Sequence, residues 1–520
     1  MDLGTLISTL PGGLPIVPAA GPAPAGVAIA SITEDSRRVA AGTLFIARRG
    51  EKSDGRAFIG AAIAAGAAAV VTESGPLPAG CAGAGVPILT CDDVPLATAI
   101  LAERFYGNPS RRLTLLAATG TNGKTTTTFL MHQLLNAVGI RCGLMGTVAV
   151  DDGVSVTPAA LTTAPAIEIS RTMARMVEAG CLAASFEASS HALHQRRVGG
   201  LGIRCGVFTN LTHDHLDYHQ TMEQYASAKA ILFGMLPDAA SGGVAVVNED
   251  DPWHARMLQE CTARTVRCSM AAHRPAHQPR PDWHARIVAM RIGGMDVEIQ
   301  TPCGSTVRIG LPLIGAFNVM NAVQAAAAVA ACFPERLSPR AAAEALATIK
   351  APPGRLEPVT PFDAPAAAFV DYAHTDDALE RVMVTLREVL ADAGGGRLLC
   401  VFGCGGNRDN TKRPKMGKVA ATLADRAFAT SDNPRSENPE TILDQILAGV
   451  PAERAGAVTR ITDRAAAIHR AASELRPGDI LLVAGKGHEN YQIVSDGKGG
   501  TVKLDFDDRI EVARAMGLSR

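Results

Sequence analysis

The sequence predicts an α/β protein of parallel sheets covered by helices on both faces, divided into three domains. Two observations predict it. Short unbroken apolar runs alternate with helix-like stretches along most of the chain, the pattern of strands buried on both faces. The texture also changes near residues 110 and 352, and 520 residues suit several domains at roughly 100–200 residues each. With 47% hydrophobic and 19% charged residues the chain has enough apolar material for several cores and lacks the composition of a disordered chain.

Residues 1–110 open on a Pro/Gly/Ala-rich segment, then read as the strand Gly42-Thr43-Leu44-Phe45-Ile46-Ala47, an Ala-rich helix over 57–68 and the strand Ala69-Val70-Val71-Thr72. Residues 111–352 begin with the strand Leu113 to Ala117 and a glycine loop, and end in a helical run near 318–332. Pro352-Pro353-Gly354 is the sharpest punctuation in the chain and reads as a hinge. Residues 353–520 carry buried-strand runs at Ala366–Val370, Leu398–Phe402 and Ile480–Ala484, each followed by a polar or glycine loop and helix-like sequence. His273 to Asp282, with its prolines and histidines, reads as a surface loop.

Charge excludes some functions. Lys plus Arg number 50 against 51 Asp plus Glu, a balance that argues against coating nucleic acid or holding to anionic lipid by bulk charge. The longest apolar run, Phe58 to Val71, is Ala/Gly-rich and falls short of the ~18–20 residues of a spanning helix. Asp2 and Pro11 interrupt the N-terminal stretch, so no signal peptide is expected. The 11 cysteines show no CxxC pair, which suits reduced, mostly buried thiols and a cytoplasmic location.

Gly120-Thr121-Asn122-Gly123-Lys124-Thr125-Thr126 follows a strand and precedes a helix running to about Ala137. Glycines there let backbone N–H groups curl around an anion, and the helix N-terminus adds a favourable dipole. Lys124 then reaches the β/γ-phosphates and Thr125 a magnesium ion. Glu187 sits where a strand ends, in Phe186-Glu187-Ala188-Ser189-Ser190-His191, although an isolated Glu is more often a surface residue. Asn210 to His219 concentrates three His and two Asp within His213–His219. It reads either as a His213/His215/Asp217 metallohydrolase site or as a loop lending one imidazole to magnesium beside ATP. Lys229 stands in an apolar helical segment, Tyr225 to Phe233. Most such lysines snorkel to solvent. A desolvated one loses its proton more easily and can add carbon dioxide, becoming a carbamate that ligates metal like a carboxylate.

In order along the chain, these pieces resemble the Mur ligase family, ATP-dependent enzymes that add amino acids to the peptidoglycan precursor. The resemblance runs from Asp35-Ser36-Arg37 through the glycine loop, Glu187–His191, Asp214–His219 and Tyr225–Lys229, then Gly315–Asn318, Pro353–Glu357 and Asp371–His374. It continues through Phe402–Asp409, Lys412-Arg413-Pro414, Asp432-Asn433-Pro434-Arg435 and Gly485–Glu489. It implies a uridine-nucleotide domain over 1–110 with Ser36 near the nucleotide, a P-loop ATPase-like domain over 111–352, and a Rossmann-like amino-acid domain over 353–520. Thr162, Thr163, Ser189, Gln195 and Arg197 match positions that hold the muramoyl dipeptide, UDP-MurNAc-L-Ala-D-Glu. Glu187, His215 and carbamylated Lys229 match magnesium-site positions. Gly120, Thr121, Asn122, Gly123, Lys124, Thr125, Thr126, Asn318, Arg355 and Asp371 match positions around ATP. Arg408, Asp432, Asn433, Pro434, Arg435, Gly485 and Glu489 match the site of the added amino acid. The Arg of Asp-Asn-Pro-Arg implies meso-diaminopimelate, with L-lysine as the alternative. The resemblance implies a monomer acting on small molecules, with ATP as co-substrate and Mg2+ as cofactor.

Overall fold

The computed structural model describes residues 1–8, 14–50, 53–78, 81, 85–272, 280–361 and 364–518. Most of the His273–Asp282 run, residues 273–279, lies outside them. Internal contacts divide the chain into two compact units, residues 1–267 with 327–337, and 268–326 with 338–520. The division runs inside the strand Arg264–Ser269 and the helix Ala316–Cys332.

The first unit holds two sheets. One has the strand order Val17–Ala20, Ile88–Cys91, Ala67–Glu73, Thr43–Ala47, Ser31–Thr33, parallel except for the first pairing. Its helix is shorter than the sequence suggests. Instead of 57–68, a 3-10 turn at Gly55–Phe58 leads into Ile59–Ala64, and Ala67 and Ala68 already belong to the strand. Alanine fits both states, so the turn at Ala65-Gly66 and the pairing of Ala67 with Thr43 decide the boundary.

In the other sheet of this unit, Val244–Asn248, Ile203–Phe208, Thr114–Thr119, Ala183–Glu187 and Cys142–Met145 run parallel. Ala149–Asp151 and Val156–Pro158 extend it antiparallel. The strand Thr114–Thr119 is central and nearly wholly buried, which explains its unbroken apolar run. The helix Lys124–Ala137 turns Leu130, Met131, Leu134 and Leu135 to the core at helical spacing.

The second unit contains an antiparallel meander, Trp283–Arg291, Gly294–Gln300 and Thr306–Leu311. It also contains a sheet ordered Glu357–Pro358, Ala367–Asp371, Ile480–Ala484, Leu398–Cys404, Arg426–Ser431, Val458–Arg460, parallel beyond its antiparallel first strand. The helix Asp376–Asp392 starts where Thr375 Oγ1 accepts from Ala378 N at 3.3 Å, and Asp376 and Asp377 complement its dipole. A hairpin, Tyr491–Ser495 with Thr501–Asp505, follows the last parallel strand. Both units are α/β and rich in parallel strands, as predicted. Among the described residues no helix is long and apolar enough to cross a membrane, and the cysteines are free and mostly buried.

Candidate functional site

Parallel strands in the first unit bring their C-terminal ends to one side, and the candidate residues lie there. Gly120 leaves the central strand at φ +152°, and a Cβ on it would stand 1.9 Å from Thr209 Oγ1. Only glycine fits so tight a passage. Thr121 N donates to Asn210 O at 2.8 Å and Asn122 N to Asn210 Oδ1 at 3.0 Å, which moulds the loop on the neighbouring strand end. Gly123 precedes the first helical residue, Lys124, and Thr126 is buried in the first turn. Lys124 Nζ folds back onto the carbonyl oxygens of Gly120 and Thr121, at 2.8 and 3.0 Å.

Glu187 ends its strand 1% exposed. Its Oε2 accepts from Thr125 Oγ1 and Thr147 Oγ1, both at 3.1 Å, and its Oε1 from Thr147 N at 2.6 Å. A Cβ on Gly146 would lie 2.5 Å from Oε1, so the glycine leaves room for the carboxylate. A carboxylate and two hydroxyls beside a phosphate loop are hard oxygen donors of the kind magnesium takes. They fit the ion that the resemblance implies.

Lys229 is 1% exposed, and its Nζ donates to Gly120 O at 2.8 Å and lies 4.3 Å from the Tyr225 ring centre. Burial, and then the Lys124 cation, hold its pKa well below the usual lysine range, against the opposing pull of Asp214. His215 takes φ +52° at the start of the turn Leu216–His219. Its ring is 4.9 Å from that of His191 and 6.1 Å from that of Tyr225. Tyr225 therefore stands near both Lys229 and His215. As an ammonium Lys229 cannot ligate a cation, whereas a carbamate at that position would offer oxygen donors of the kind magnesium takes. Among the described residues no three His, Cys, Asp or Glu converge as a metal group, so the His213/His215/Asp217 pattern is not assembled.

Next to Glu187 lies a second cluster. Thr162 Oγ1 is 3.1 Å from Thr147 Oγ1, and Thr163 Oγ1 donates to Glu187 O at 2.7 Å. Ser189 N donates to Thr163 Oγ1 at 3.0 Å. Arg197 clasps Gln195 Oε1 with Nε and Nη2, at 3.1 and 2.6 Å, and reaches Thr163 O with Nη1 at 2.9 Å. Thr162, Thr163, Ser189, Gln195 and Arg197 thus form one group. Glu34 and Arg48, an ion pair, line a pocket of about 80 Å³ together with Leu161, Gln195 and Arg197. Ser36 begins the turn after Asp35, whose carboxyl the Arg37 guanidinium holds down at about 2.

In the second unit Asp371 ends its strand with both carboxylate oxygens taken, by Leu356 N and Ala373 N at 2.7 Å each. Burial raises its pKa, and Arg355 opposes the rise. The Arg355 guanidinium lies 5.3 Å from the Tyr372 ring centre, its Nε buried without a hydrogen-bond partner among the described residues. Gly485 N donates to Asp371 O at 3.0 Å, which brings the last cluster close. Asn433 Nδ2 donates to Glu489 Oε2 at 2.8 Å, and Lys486 Nζ reaches Asn433 Oδ1 at 3.2 Å and Glu489 Oε2 at 3.3 Å. Asp432 is buried, and its Oδ2 has no hydrogen-bond partner among the described residues. Pro434 packs its carbonyl against Gly406, and Arg435 Nη1 donates to Gly406 O at 2.8 Å. Arg408 is exposed in the same glycine loop and Asn318 is buried, bonded to Ile314 O at 2.8 Å; neither joins these clusters by a hydrogen bond among the described residues.

Sequence reasoning missed Thr147, Thr209, Asn210, Tyr225 and Lys486. Thr147 and Thr209 follow strands whose place beside Glu187 and Gly120 comes from sheet order, which spacing does not reveal. Lys486 does carry a signal: it stands inside Gly485–Glu489 and is fully buried.

Strand, glycine loop, helix and an acid at the adjacent strand end define a protein that handles nucleotide phosphates. Residues 28–106 match the Mur ligase family catalytic domain, 118–329 the Mur ligase middle domain and 354–487 the Mur ligase glutamate ligase domain. The UDP-N-acetylmuramoyl-L-alanyl-D-glutamate–2,6-diaminopimelate ligase of Chlorobaculum tepidum is 46% identical over 92% of this chain and 91% of its own. The protein of that name from Geobacillus thermodenitrificans is 42% identical over 99% of both. A solved structure titled as that ligase superposes with a TM-score of 0.70 at 31% identity, over 99% of both chains. The chain belongs to the Mur ligase family.

Proposed function

We propose that this chain is an ATP-dependent ligase that adds meso-2,6-diaminopimelate to UDP-N-acetylmuramoyl-L-alanyl-D-glutamate in peptidoglycan biosynthesis. The observation that carries the reading is the second unit's cluster of Asn433, Lys486 and Glu489 beside an Arg435 whose Nε and Nη2 hold no partner among the described residues. An arginine fork recognises a carboxylate through two parallel hydrogen bonds, and diaminopimelate differs from lysine by that carboxylate. The names of the relatives reported above support the same substrate. We assign the uridine nucleotide to residues 1–110, ATP to 111–352 and the amino acid to 353–520, in a monomer working in the cytoplasm.

The glutamyl carboxylate attacks the γ-phosphorus of ATP, ADP leaves, and an acyl phosphate results. The amine of diaminopimelate then attacks the acyl carbon, phosphate leaves and the nitrogen loses a proton. Carboxylate and phosphate are both anionic, so the site must lower their repulsion. Lys124 and the amides of Gly120–Thr126 supply positive charge at the phosphates. Magnesium, when bound, would neutralise further charge on the phosphate and acyl oxygens. Thr125 and Glu187 would hold one such ion, and Glu187, His215 and carbamylated Lys229 a second. The carbamate forms when neutral Nζ attacks carbon dioxide, an N–C bond forms and a proton leaves the nitrogen. Gln195 and Arg197 hold the muramoyl dipeptide, while Asn318, Arg355 and Asp371 surround ATP. Three substrates meeting away from water suit a chain of several domains.

Phosphate release measured with the muramoyl dipeptide and a panel of amino acids tests the reading. Release should require the dipeptide and meso-diaminopimelate together. Release with L-lysine at the same efficiency would move the assignment to a lysine-adding ligase, and release with ATP alone would remove it.

A further inference from the structure

The dipeptide cluster is fastened from behind. Tyr218 Oη lies 2.9 Å from His194 Nδ1 and 3.4 Å from Gln195 Nε2. The Arg197 guanidinium offers only donors, so the Gln195 amide must present its oxygen to Arg197 and leave its nitrogen for Tyr218. A flipped amide would set N–H against N–H. The phenol hydroxyl accepts from Nε2 and thereby favours the orientation in which Gln195 clasps Arg197. Arg197 in turn holds Thr163 O.

Tyr218 is itself well held. Its ring packs 4.2 Å from that of His191 and 4.8 Å from that of His219. It belongs to the turn Leu216–His219, which begins at His215, and its N–H donates to His215 O at 3.2 Å. One side chain thus ties the turn carrying His215 to Gln195 and Arg197.

We propose that Tyr218 is a positioning residue, whose hydroxyl sets the Gln195 amide and through it the Arg197 guanidinium for the muramoyl dipeptide. The proposal rests on the reading that Gln195 and Arg197 hold that substrate. Replacing Tyr218 with Phe keeps the packed ring and removes one hydrogen-bonding group, worth about a 3- to 10-fold change in binding.

A double-mutant cycle tests it, with KM for the muramoyl dipeptide and KM for ATP measured in each protein. Tyr218→Phe alone should raise KM for the dipeptide about 3- to 10-fold and leave KM for ATP unchanged. In a Gln195→Ala background, Tyr218→Phe should add less than about twofold, since an effect relayed through a missing residue disappears. Full additivity of the two substitutions, no change in dipeptide KM for Tyr218→Phe, or an equal rise in both KM values would overturn the role of Tyr218. Gln195→Ala alone leaving the dipeptide KM unchanged would instead remove Gln195 from the substrate site, and the inference with it.

Discussion

Lys124 and Lys229 donate to a single acceptor: the Nζ of each lies 2.8 Å from the carbonyl oxygen of Gly120. The arrangement places two amines near each other, with Lys229 fully buried and Lys124 only partly so. Burial and the neighbouring cation both disfavour the charged form of Lys229. Only a neutral amine adds carbon dioxide, so this environment promotes the carbamate proposed above. Lys229→Ala should lose most phosphate-release activity and regain part of it when a short-chain carboxylic acid is supplied to fill the vacated space. An alanine variant turning over near the wild-type rate would exclude the carbamate.

Gly120 is the point on which both lysines depend. An alanine there would meet Thr209 Oγ1 at 1.9 Å and Asn210 O at 3.0 Å, at a φ of +152°. Such backbone strain in a residue with a side chain costs about 1–3 kcal/mol, before any clash. Gly120→Ala should raise KM for ATP at least tenfold and lower the melting midpoint. Adding Thr209→Ala relieves the nearest contact and leaves the φ strain, so the double variant should remain impaired in ATP use. Kinetics with ATP varied in both variants checks this, and a fully restored double variant would contradict it.

Local features were legible in the sequence and sheet order was not. The strand–loop–helix unit could be read because glycines, Lys124 and the helix to Ala137 are contiguous. Buried parallel strands such as Ile480–Ala484 announce themselves by unbroken apolar runs. The meander Trp283–Leu311 was missed because its alternating, half-exposed residues never form such a run. Thr147 was missed for a different reason. It touches Glu187 because the strand Cys142–Met145 pairs with Ala183–Glu187, a contact between segments some forty residues apart in the chain.

His488 gives the fold a dependence on pH. Burial first, then the Arg355 and Arg509 cations, push its pKa down to about 4, from an ordinary value of about 6.5. As pH falls from about 6.5 to 4 the unfolded chain takes up a proton that the folded chain refuses. Stability from this group is complete above that window and is lost on acidification through it. The loss between pH 7.5 and pH 5 amounts to about 1–2 kcal/mol. Urea unfolding at the two values should show a smaller difference for His488→Phe than for the wild type. Equal differences would mean that His488 is not the group responsible.

In the function proposed above, Arg435 selects the amino acid that is added. Its backbone takes φ +54°, with N donating to Ile493 O at 3.0 Å, and Nη1 is spent on Gly406 O at 2.8 Å. The Nη1 bond holds one edge of the guanidinium, and among the described residues Nε and Nη2 remain as an open pair of donors. Such a fork matches the second carboxylate of meso-diaminopimelate and repels the side-chain ammonium of lysine. Removing one partner of a buried charged pair costs on the order of 2–5 kcal/mol, and each 1.4 kcal/mol is about tenfold. Arg435→Ala should therefore lose at least about tenfold in kcat/KM for meso-diaminopimelate, with KM for ATP little changed. Arg435→Lys should recover only part of the loss, because an ammonium cannot supply two parallel donors in one plane. The wild type should use L-lysine poorly, and the alanine variant should narrow the gap between the two substrates by lowering the rate with diaminopimelate. Steady-state kinetics with both amino acids measures each of these values. Efficient lysine addition by the wild type, or an alanine variant unchanged toward diaminopimelate, would assign the carboxylate to another residue and reopen the choice of substrate.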